Sequence, residues 1–115
     1  MAISKKALAT RVLRKMAVVA ADESPASTDS TYVMSIYDDK LEEWRDRKLI
    51  YWPNTGEDVA EIPSVVVPAL VNLIINEVAT TFGKAPIGDE ELLLKPLRRH
   101  VARAPTGLPL RVDYF

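Results

Sequence analysis

The single histidine of the chain, His100, is the side chain best suited to acid–base chemistry near neutral pH. It stands among Arg98, Arg99 and Arg103. A histidine inside an arginine cluster on one helix is more often a solvated surface residue than a catalytic one. Because the chain has no cysteine and no second histidine, it cannot form a zinc site of usual composition. We therefore expect no catalytic residue, no bound metal and no cofactor.

Two pairs of adjacent carboxylates, Asp38 with Asp39 and Glu42 with Glu43, form the second group of residues that could do chemistry. Paired carboxylates can transfer protons or hold a divalent cation. A solvated helix face explains the same residues without a ligand, and we favour that interpretation. The serines occupy helix-capping positions without a plausible base, and no glycine loop could cradle a phosphate. The sequence thus favours a protein that is not an enzyme.

Charge is distributed in blocks along the chain, although the formal net charge is only −1. Residues 1–21 are basic and contain no acid, and the C-terminal stretch is basic again. The stretch between them, residues 22–61, is acidic, with Asp22, Glu23, Asp29, Asp38, Asp39, Glu42, Glu43, Asp46, Glu57, Asp58 and Glu61 against four bases. The near-neutral total argues against a protein that coats nucleic acid.

Length and composition fit one small domain with a real core. The chain has 115 residues, of which 48% are hydrophobic. The longest apolar-rich run, residues 65–75, is broken by Pro68 and Asn72, so we expect no membrane-spanning segment. The basic N-terminus is not expected to be a signal peptide, because Arg11, Arg14 and Lys15 interrupt its apolar residues.

The first half of the chain predicts two amphipathic helices. The first helix should begin after Ser4, a good N-cap, and it carries Arg11, Arg14 and Lys15 opposite its apolar face. The second should run from about Thr31 to Lys48, with a cap among residues 27–30. Its apolar face is Val33, Ile36, Tyr37, Leu41 and Trp44, and the rest of the helix is acidic. The basic face could meet this acidic surface in the same chain or in a neighbour, or could meet DNA phosphates.

A short extended segment is predicted near residues 49–62. Residues 49–52 have strand-type propensity, and residues 53–56 are typical of a turn. A strand here needs a partner, either residues 59–62 or a neighbouring subunit. Trp52, beside the turn, is either a core residue or an anchor at a subunit interface.

The second half of the chain predicts two more helices and a C-terminal arm. The third helix, buried on several sides, should start at Pro63 or at Pro68 and end at Gly83. The fourth begins with acids at residues 89–91 and is interrupted by Pro96, which predicts a kink or a short helix. Residues 1–104 are thus an all-α domain, a small bundle of about four helices. Residues 105–115, rich in proline and ending in Tyr114 and Phe115, form an extended arm with aromatic anchors.

The order of these pieces resembles the head–tail connector proteins of tailed bacteriophages, also called adaptor or head-completion proteins, including the packaged-DNA-stabilising type. The resemblance covers nearly the whole chain. The matching stretches are ALATRVLRKMAV (residues 7–18), LEEWRDRKLI (41–50), IPSVVVPALVNLIINEVATTFG (62–83) and LLLKPLRRHVAR (92–103). One departure is that Lys48 and Leu49 stand where many members of the family have a glycine near the turn.

The resemblance implies a structural virion protein that assembles in the host cytoplasm and lies at the head–tail interface. It implies a homo-oligomeric ring, usually of about twelve subunits, docked below the portal protein and above a tail or head-closure protein. DNA would pass through its channel without sequence-specific binding. The family's C-terminal segment reaches the portal or a neighbour, and here that segment is Arg103 with Leu108, Leu110, Arg111, Val112, Tyr114 and Phe115.

A closed ring joins one face of a subunit to a different face of the next. The candidate subunit-interface residues are Arg11, Arg14 and Lys15 on the first helix, Asp38, Asp39, Glu42 and Glu43 on the second, and Trp52. The alternative function is that of a small helical nucleic-acid-binding regulator, with the first helix as its recognition helix. That helix is poor in base-reading groups, so the connector is favoured.

Overall fold

Four helices and one pair of two-residue strands make up the described part of this computed structural model, which covers residues 2–18 and 25–103, with the backbone alone at 101–103. The elements are β1 (Ala2–Ile3), α1 (Lys5–Lys15), α2 (Ser27–Asp46), β2 (Ile62–Pro63), α3 (Val67–Val78) and α4 (Glu90–Arg103), with 3₁₀ turns at Ser64–Val66 and Ala79–Phe82 on either side of α3. The predicted all-α bundle of about four helices is confirmed.

Helix α1 begins where the sequence predicts, because Ser4 Oγ accepts a hydrogen bond from the Ala7 amide at 3.1 Å. Its apolar face, which includes Leu8, Val12 and Leu13, is buried. The helix ends in a Schellman motif in which the Val18 amide donates to the Leu13 carbonyl. The residue in the left-handed position of this motif is Ala17, with φ 61°.

Helix α2 begins four residues earlier than predicted, at Ser27. The predicted side-chain cap among residues 27–30 is wrong, since the N-cap residue is Ala26 and no side chain caps the helix. The C-terminal end is a second Schellman motif, closed by a bond from the Leu49 amide to the Trp44 carbonyl. Lys48 occupies its left-handed position, with φ 64°. The departure noted above therefore places a lysine in the backbone conformation that favours glycine.

The segment between α2 and β2 is extended but forms no hairpin of its own. Leu49, Ile50 and Trp52 are buried in the core. The turn predicted at 53–56 lies further along, where the Val59 amide donates to the Gly56 carbonyl. The strand predicted at residues 49–52, with a partner at 59–62 or in a neighbouring subunit, is wrong because residues 49–52 form no strand. Instead β2 pairs antiparallel with β1, with Ile3 opposite Ile62.

Helix α3 is the centre of the core, as its composition predicts. Pro63 precedes the 3₁₀ turn and Pro68 lies in the first turn of α3, so both prolines stand where a missing N–H costs no helical hydrogen bond. Leu70, Leu73 and Ile74 are fully buried, and Gly83 closes the following 3₁₀ turn with φ 73°. The stretch Ser64–Phe82 is long and apolar enough to cross a membrane by length and composition alone, but 56% of it is buried inside the fold, as a core helix would be.

Helix α4 continues through Pro96 to Arg103. Of the two predicted alternatives, a kink or a short helix, the short helix is therefore wrong. Leu94 and Leu97 on either side of the proline are fully buried. Burying two leucines stabilises the fold by roughly 1.5–3 kcal/mol each, which offsets the roughly 3 kcal/mol that a proline costs inside a helix. The predicted arm, residues 105–115, lies outside the described residues.

Candidate interaction surfaces

The basic face of α1 is exposed. Arg11, Arg14 and Lys15 all lie on the surface. The Lys15 ammonium donates a hydrogen bond to the side-chain carbonyl of Asn72 at 2.7 Å, which orients the lysine without neutralising its charge. Opposite Arg11, the buried stripe of α1 packs against α2 and α3. The three bases that were predicted from the sequence therefore form one accessible surface.

The acidic side chains of α2 divide into two groups. Asp38 is used inside the chain, where its Oδ1 accepts hydrogen bonds from Lys5 Nζ at 2.9 Å and from Asn54 Nδ2 at 2.8 Å. This pair joins the start of α1 to the middle of α2, so one contact between the basic and acidic helices is intramolecular. Asp39, Glu42 and Glu43 are exposed. Of the four predicted acids, Asp38 is thus largely committed to the fold.

Lys40 is the charged residue whose importance the sequence understates. Its ammonium lies within 3.2 Å of a carboxylate oxygen from each of three acids and 5.5 Å from the centre of the Trp44 ring. The acids are Glu43 on α2, Glu77 on α3 and Glu90 on α4. Burial alone would lower the pKa of Lys40, but the surrounding carboxylates outweigh that effect and raise it. Lys40 therefore ties three helices together.

A second ion-pair group joins the end of α2 to α4. The Glu91 carboxylate accepts from Arg98 at 2.9 Å and from Arg47 at 3.1 Å. These guanidinium groups, Arg98 first, hold the pKa of Glu91 below its usual value. Arg45 in turn donates to the Trp52 carbonyl at 2.8 Å. The arginines near the end of α2 are therefore engaged within the chain.

Trp52 is a core residue, which corrects its assignment as a subunit-interface candidate. Its side chain is only 3% exposed, and its indole N–H donates to the Tyr37 hydroxyl at 3.0 Å. The ring also meets the half-buried ring of Tyr51 edge-on, with centroids 5.1 Å apart. Of the two roles that the sequence left open, the structure supports packing within the chain. The aromatic spacing alone could not decide between them, because the acceptor for the indole lies on a different element.

The irregular segment before β2 is organised by one carboxylate. Glu61 accepts from the Thr55 amide at 2.7 Å and from the Thr55 hydroxyl at 2.8 Å. Desolvation alone would raise the pKa of Glu61, but these bonds, with help from the Gly56 amide, lower it overall. A stretch without helix or strand is thus held in one conformation, on the side where Asn54 reaches Asp38.

A surface cavity of about 440 Å³ lies between the first half of α1 and the start of α2. Its wall includes Lys6, Thr10, Ser30, Met34 and Glu57. His100 is not among the residues that line it, and within residues 2–18 and 25–103 no group of three possible ligands could hold a metal ion. Hydroxyls, one lysine and one carboxylate, whose side chains make no hydrogen bonds with one another among the described residues, do not form a recognisable catalytic arrangement.

Comparison with protein-family models, with curated proteins and with solved structures finds no match for this chain.

Among the described residues, some exposed charged side chains on α1 and α2 take part in none of the ion pairs given above. On α2, Asp39, Glu42 and Asp46 are exposed and take part in none of these pairs. On α1, the same holds for Arg11 and Lys15. The candidate surfaces are therefore an acidic face on α2 and a basic face on α1, both built on helices whose other side is fixed in the core. The remaining predicted residues, Leu108, Leu110, Arg111, Val112, Tyr114 and Phe115, lie outside the described residues, as does the side chain of Arg103.

Proposed function

We propose that this protein is a structural component of a phage head–tail connector, in which copies of the chain form a ring below the portal. The ring would join the head to the tail and continue the DNA channel. The proposal rests on the resemblance described above, which concerns the order of the helices, their residue types and the proline-rich C-terminus. The protein would act by assembly and not by catalysis.

Beside the resemblance, the structural observation that best supports the proposal is the pair of exposed charged faces on α1 and α2. A charge that is neutralised by an ion pair within the chain is not available to a partner. Glu42 and Asp46 on α2, and Arg11 and Lys15 on α1, are exposed and take part in no such ion pair among the described residues. A subunit with two different complementary faces is suited to a heterologous contact, which closes into a ring when the rotation between subunits allows it. Isologous dimers need no such asymmetry.

The C-terminal residues 105–115 supply the proposed contact with the portal or with a neighbouring subunit. Proline limits the number of conformations that such a segment loses on binding, and aromatic side chains are frequent anchors at interfaces. In this scheme Tyr114 and Phe115 contribute most of the binding and the charged faces contribute register.

Binding to the portal protein of the same phage tests the function directly. The full chain should bind the portal, and electron microscopy of the mixture should display a ring below it. A variant that ends at residue 104 should lose portal binding while its helical circular dichroism is unchanged. A Tyr114→Ala/Phe115→Ala variant provides the finer comparison, with Asp113→Ala as the matched control in the same segment. Unchanged portal binding by the shortened chain would remove the arm from the proposal.

A further inference from the structure

We infer that the contact between neighbouring copies is made by the basic face of α1 on one copy and the acidic face of α2 on the next. The basic face is Arg11 and Lys15, and the acidic face is Asp39, Glu42 and Asp46. This inference rests on the proposed function, because it names the partner surface for the assembly. It goes further by assigning the occupant of each face, a second copy of the same chain.

Each face is a compact stripe on one side of its helix. Asp39, Glu42 and Asp46 are spaced by three and four residues, so they lie above one another on α2. Arg11 and Lys15 are four residues apart and lie together in the same way on α1. Both helices are anchored on the opposite side, by Ala9 and Leu13 in α1 and by Leu41 and Trp44 in α2. Two stripes of opposite charge on core-anchored helices are complementary in sign.

The acidic stripe stays acidic because the nearby bases are engaged elsewhere. Lys40 lies within the three-carboxylate group, Arg47 binds Glu91, and Arg45 donates to the backbone carbonyl of Trp52. None of these bases pairs with Asp39, Glu42 or Asp46 among the described residues. Lys40 and Arg47 are thus neutralised by other carboxylates. Arg45 keeps its positive charge, but the three acids of the stripe outnumber it, so the stripe stays negative.

The two faces of one copy diverge from the point where their helices meet. The Lys5–Asp38 ion pair marks that point, and further along α1 Thr10 shares a cavity wall with Ser27 and Ser30. Helix α1 thus runs antiparallel to α2 from this pair, toward the N-terminal end of α2. Arg11 and Lys15 follow in that direction, whereas Asp39, Glu42 and Asp46 extend from Asp38 the other way. The basic face and the acidic face of one copy therefore do not meet each other, but the basic face of one copy can meet the acidic face of a second copy.

Contacts of this kind determine register and association rate more than they determine affinity. Each exposed pair contributes little on its own, so the faces select the neighbour while other contacts add binding energy. Their strength should fall with salt, since the screening length is roughly 8 Å at physiological ionic strength. A ring contains many identical contacts, so a small change in the strength of each contact has a large effect on the stability of the whole ring.

Charge reversal on one face at a time tests the inference. One variant, Glu42→Lys/Asp46→Lys, makes both faces positive, and a second, Arg11→Glu/Lys15→Glu, makes both negative. Each variant alone should need at least a tenfold higher protein concentration than the unaltered chain to assemble, as measured by sedimentation velocity. An equal mixture should assemble again, because every contact in it joins faces of opposite sign. A chain that carries all four changes restores the net charge and should assemble by itself.

Control variants separate this inference from general charge effects and from the proposed function. Lys84→Glu/Lys95→Glu and Glu57→Lys/Asp58→Lys change exposed residues outside both faces and should assemble like the unaltered chain. If single-face reversals assemble at the original concentration, the inference is overturned and the connector proposal stands. If the unaltered chain stays monomeric at every concentration, with and without portal, both fail. If the α1 reversal abolishes binding to duplex DNA and leaves assembly unchanged, the basic face belongs to nucleic acid.

Discussion

The indole N–H of Trp52 donates to the hydroxyl of Tyr37 across 3.0 Å inside the core. This bond fixes the segment after α2 against α2 itself. Tyr37→Phe should destabilise the fold by about 1–3 kcal/mol, because it leaves the buried indole donor without an acceptor. The free energy of unfolding in urea measures the loss. Tyr51→Phe, which changes a half-buried tyrosine next to the same indole, is the matched control and should cost clearly less. Equal losses for the two variants would contradict the role of this bond.

The same tyrosine predicts how stability depends on alkaline pH. Burial raises the pKa of Tyr37 from 10.0 to about 12. Because the folded pKa is above the unfolded one, the contribution is fully present below pH 10 and is lost as the pH rises to about 12. Tyr37→Phe should lose less stability than the unaltered chain over that interval. Identical slopes for the two proteins would show that Tyr37 ionises as easily when folded as when unfolded.

Lys48 is expected to be a site where a glycine stabilises the protein. It has φ 64° at the end of α2, and a side chain in that conformation costs roughly 1–2 kcal/mol. Glycine avoids this strain but loses about 0.5–1 kcal/mol of backbone entropy on folding. Lys48→Gly should therefore raise the free energy of unfolding by up to about 1.5 kcal/mol. Gly83→Ala is the reciprocal variant, with the opposite sign expected. A less stable Lys48→Gly protein would contradict this interpretation.

The features that could be predicted from the sequence are those decided by a few neighbouring residues. The Ser4 cap depends on an amide three positions away, and the Gly83 position depends on the turn that it closes. The amphipathic spacing of α1 and α3 reports directly on which residues are buried. The exposure of the charged residues on the two candidate faces was also predictable, because several charged side chains on one side of a helix are rarely buried.

The features that were missed depend on residues far apart in the chain. Ile62 pairs with Ile3 in the two-stranded sheet, and the carboxylates that form ion pairs with Lys40 come from three helices. The continuation of α4 through Pro96 depends on burial of Leu94 and Leu97, which propensity does not contain. The predicted start of α2 is wrong because the N-cap residue is Ala26, whose side chain cannot accept a hydrogen bond. The serine and threonine residues that follow Ala26 are typical N-cap residues but lie inside the helix.

Lys40 should be essential to the packing of α2 against α3 and α4. Lys40→Met keeps most of the side-chain volume but leaves Glu43, Glu77 and Glu90 without their shared cation. We expect a loss of roughly 1–2 kcal/mol at neutral pH, because the pairs are only partly shielded from water. Lys95→Met, at an exposed position of α4, is the control and should change little. The loss should shrink at high salt, which screens ion pairs, and a loss that does not depend on salt would point to packing instead.

Glu61 predicts a local response to acid. Its pKa lies below the ordinary 4.5, so its contribution is present above that value and is lost as the pH falls through the lower folded pKa. The protection factor of the Thr55 amide against hydrogen exchange should therefore fall in acid, more than the protection factors of core amides of α3. Glu61→Gln should expose that amide already at neutral pH and remove the acid response. Unchanged exchange at Thr55 in the variant would assign the order of this segment to other contacts.

The most direct test of the connector proposal is the mass of the assembled species. Sedimentation velocity of the full chain, alone and with the portal protein of the same phage, measures it over a wide range of concentration. We expect a discrete ring-sized species whose formation depends on concentration or on the portal, and whose formation weakens with salt. A chain that sediments as a monomer under all of these conditions would contradict the proposal.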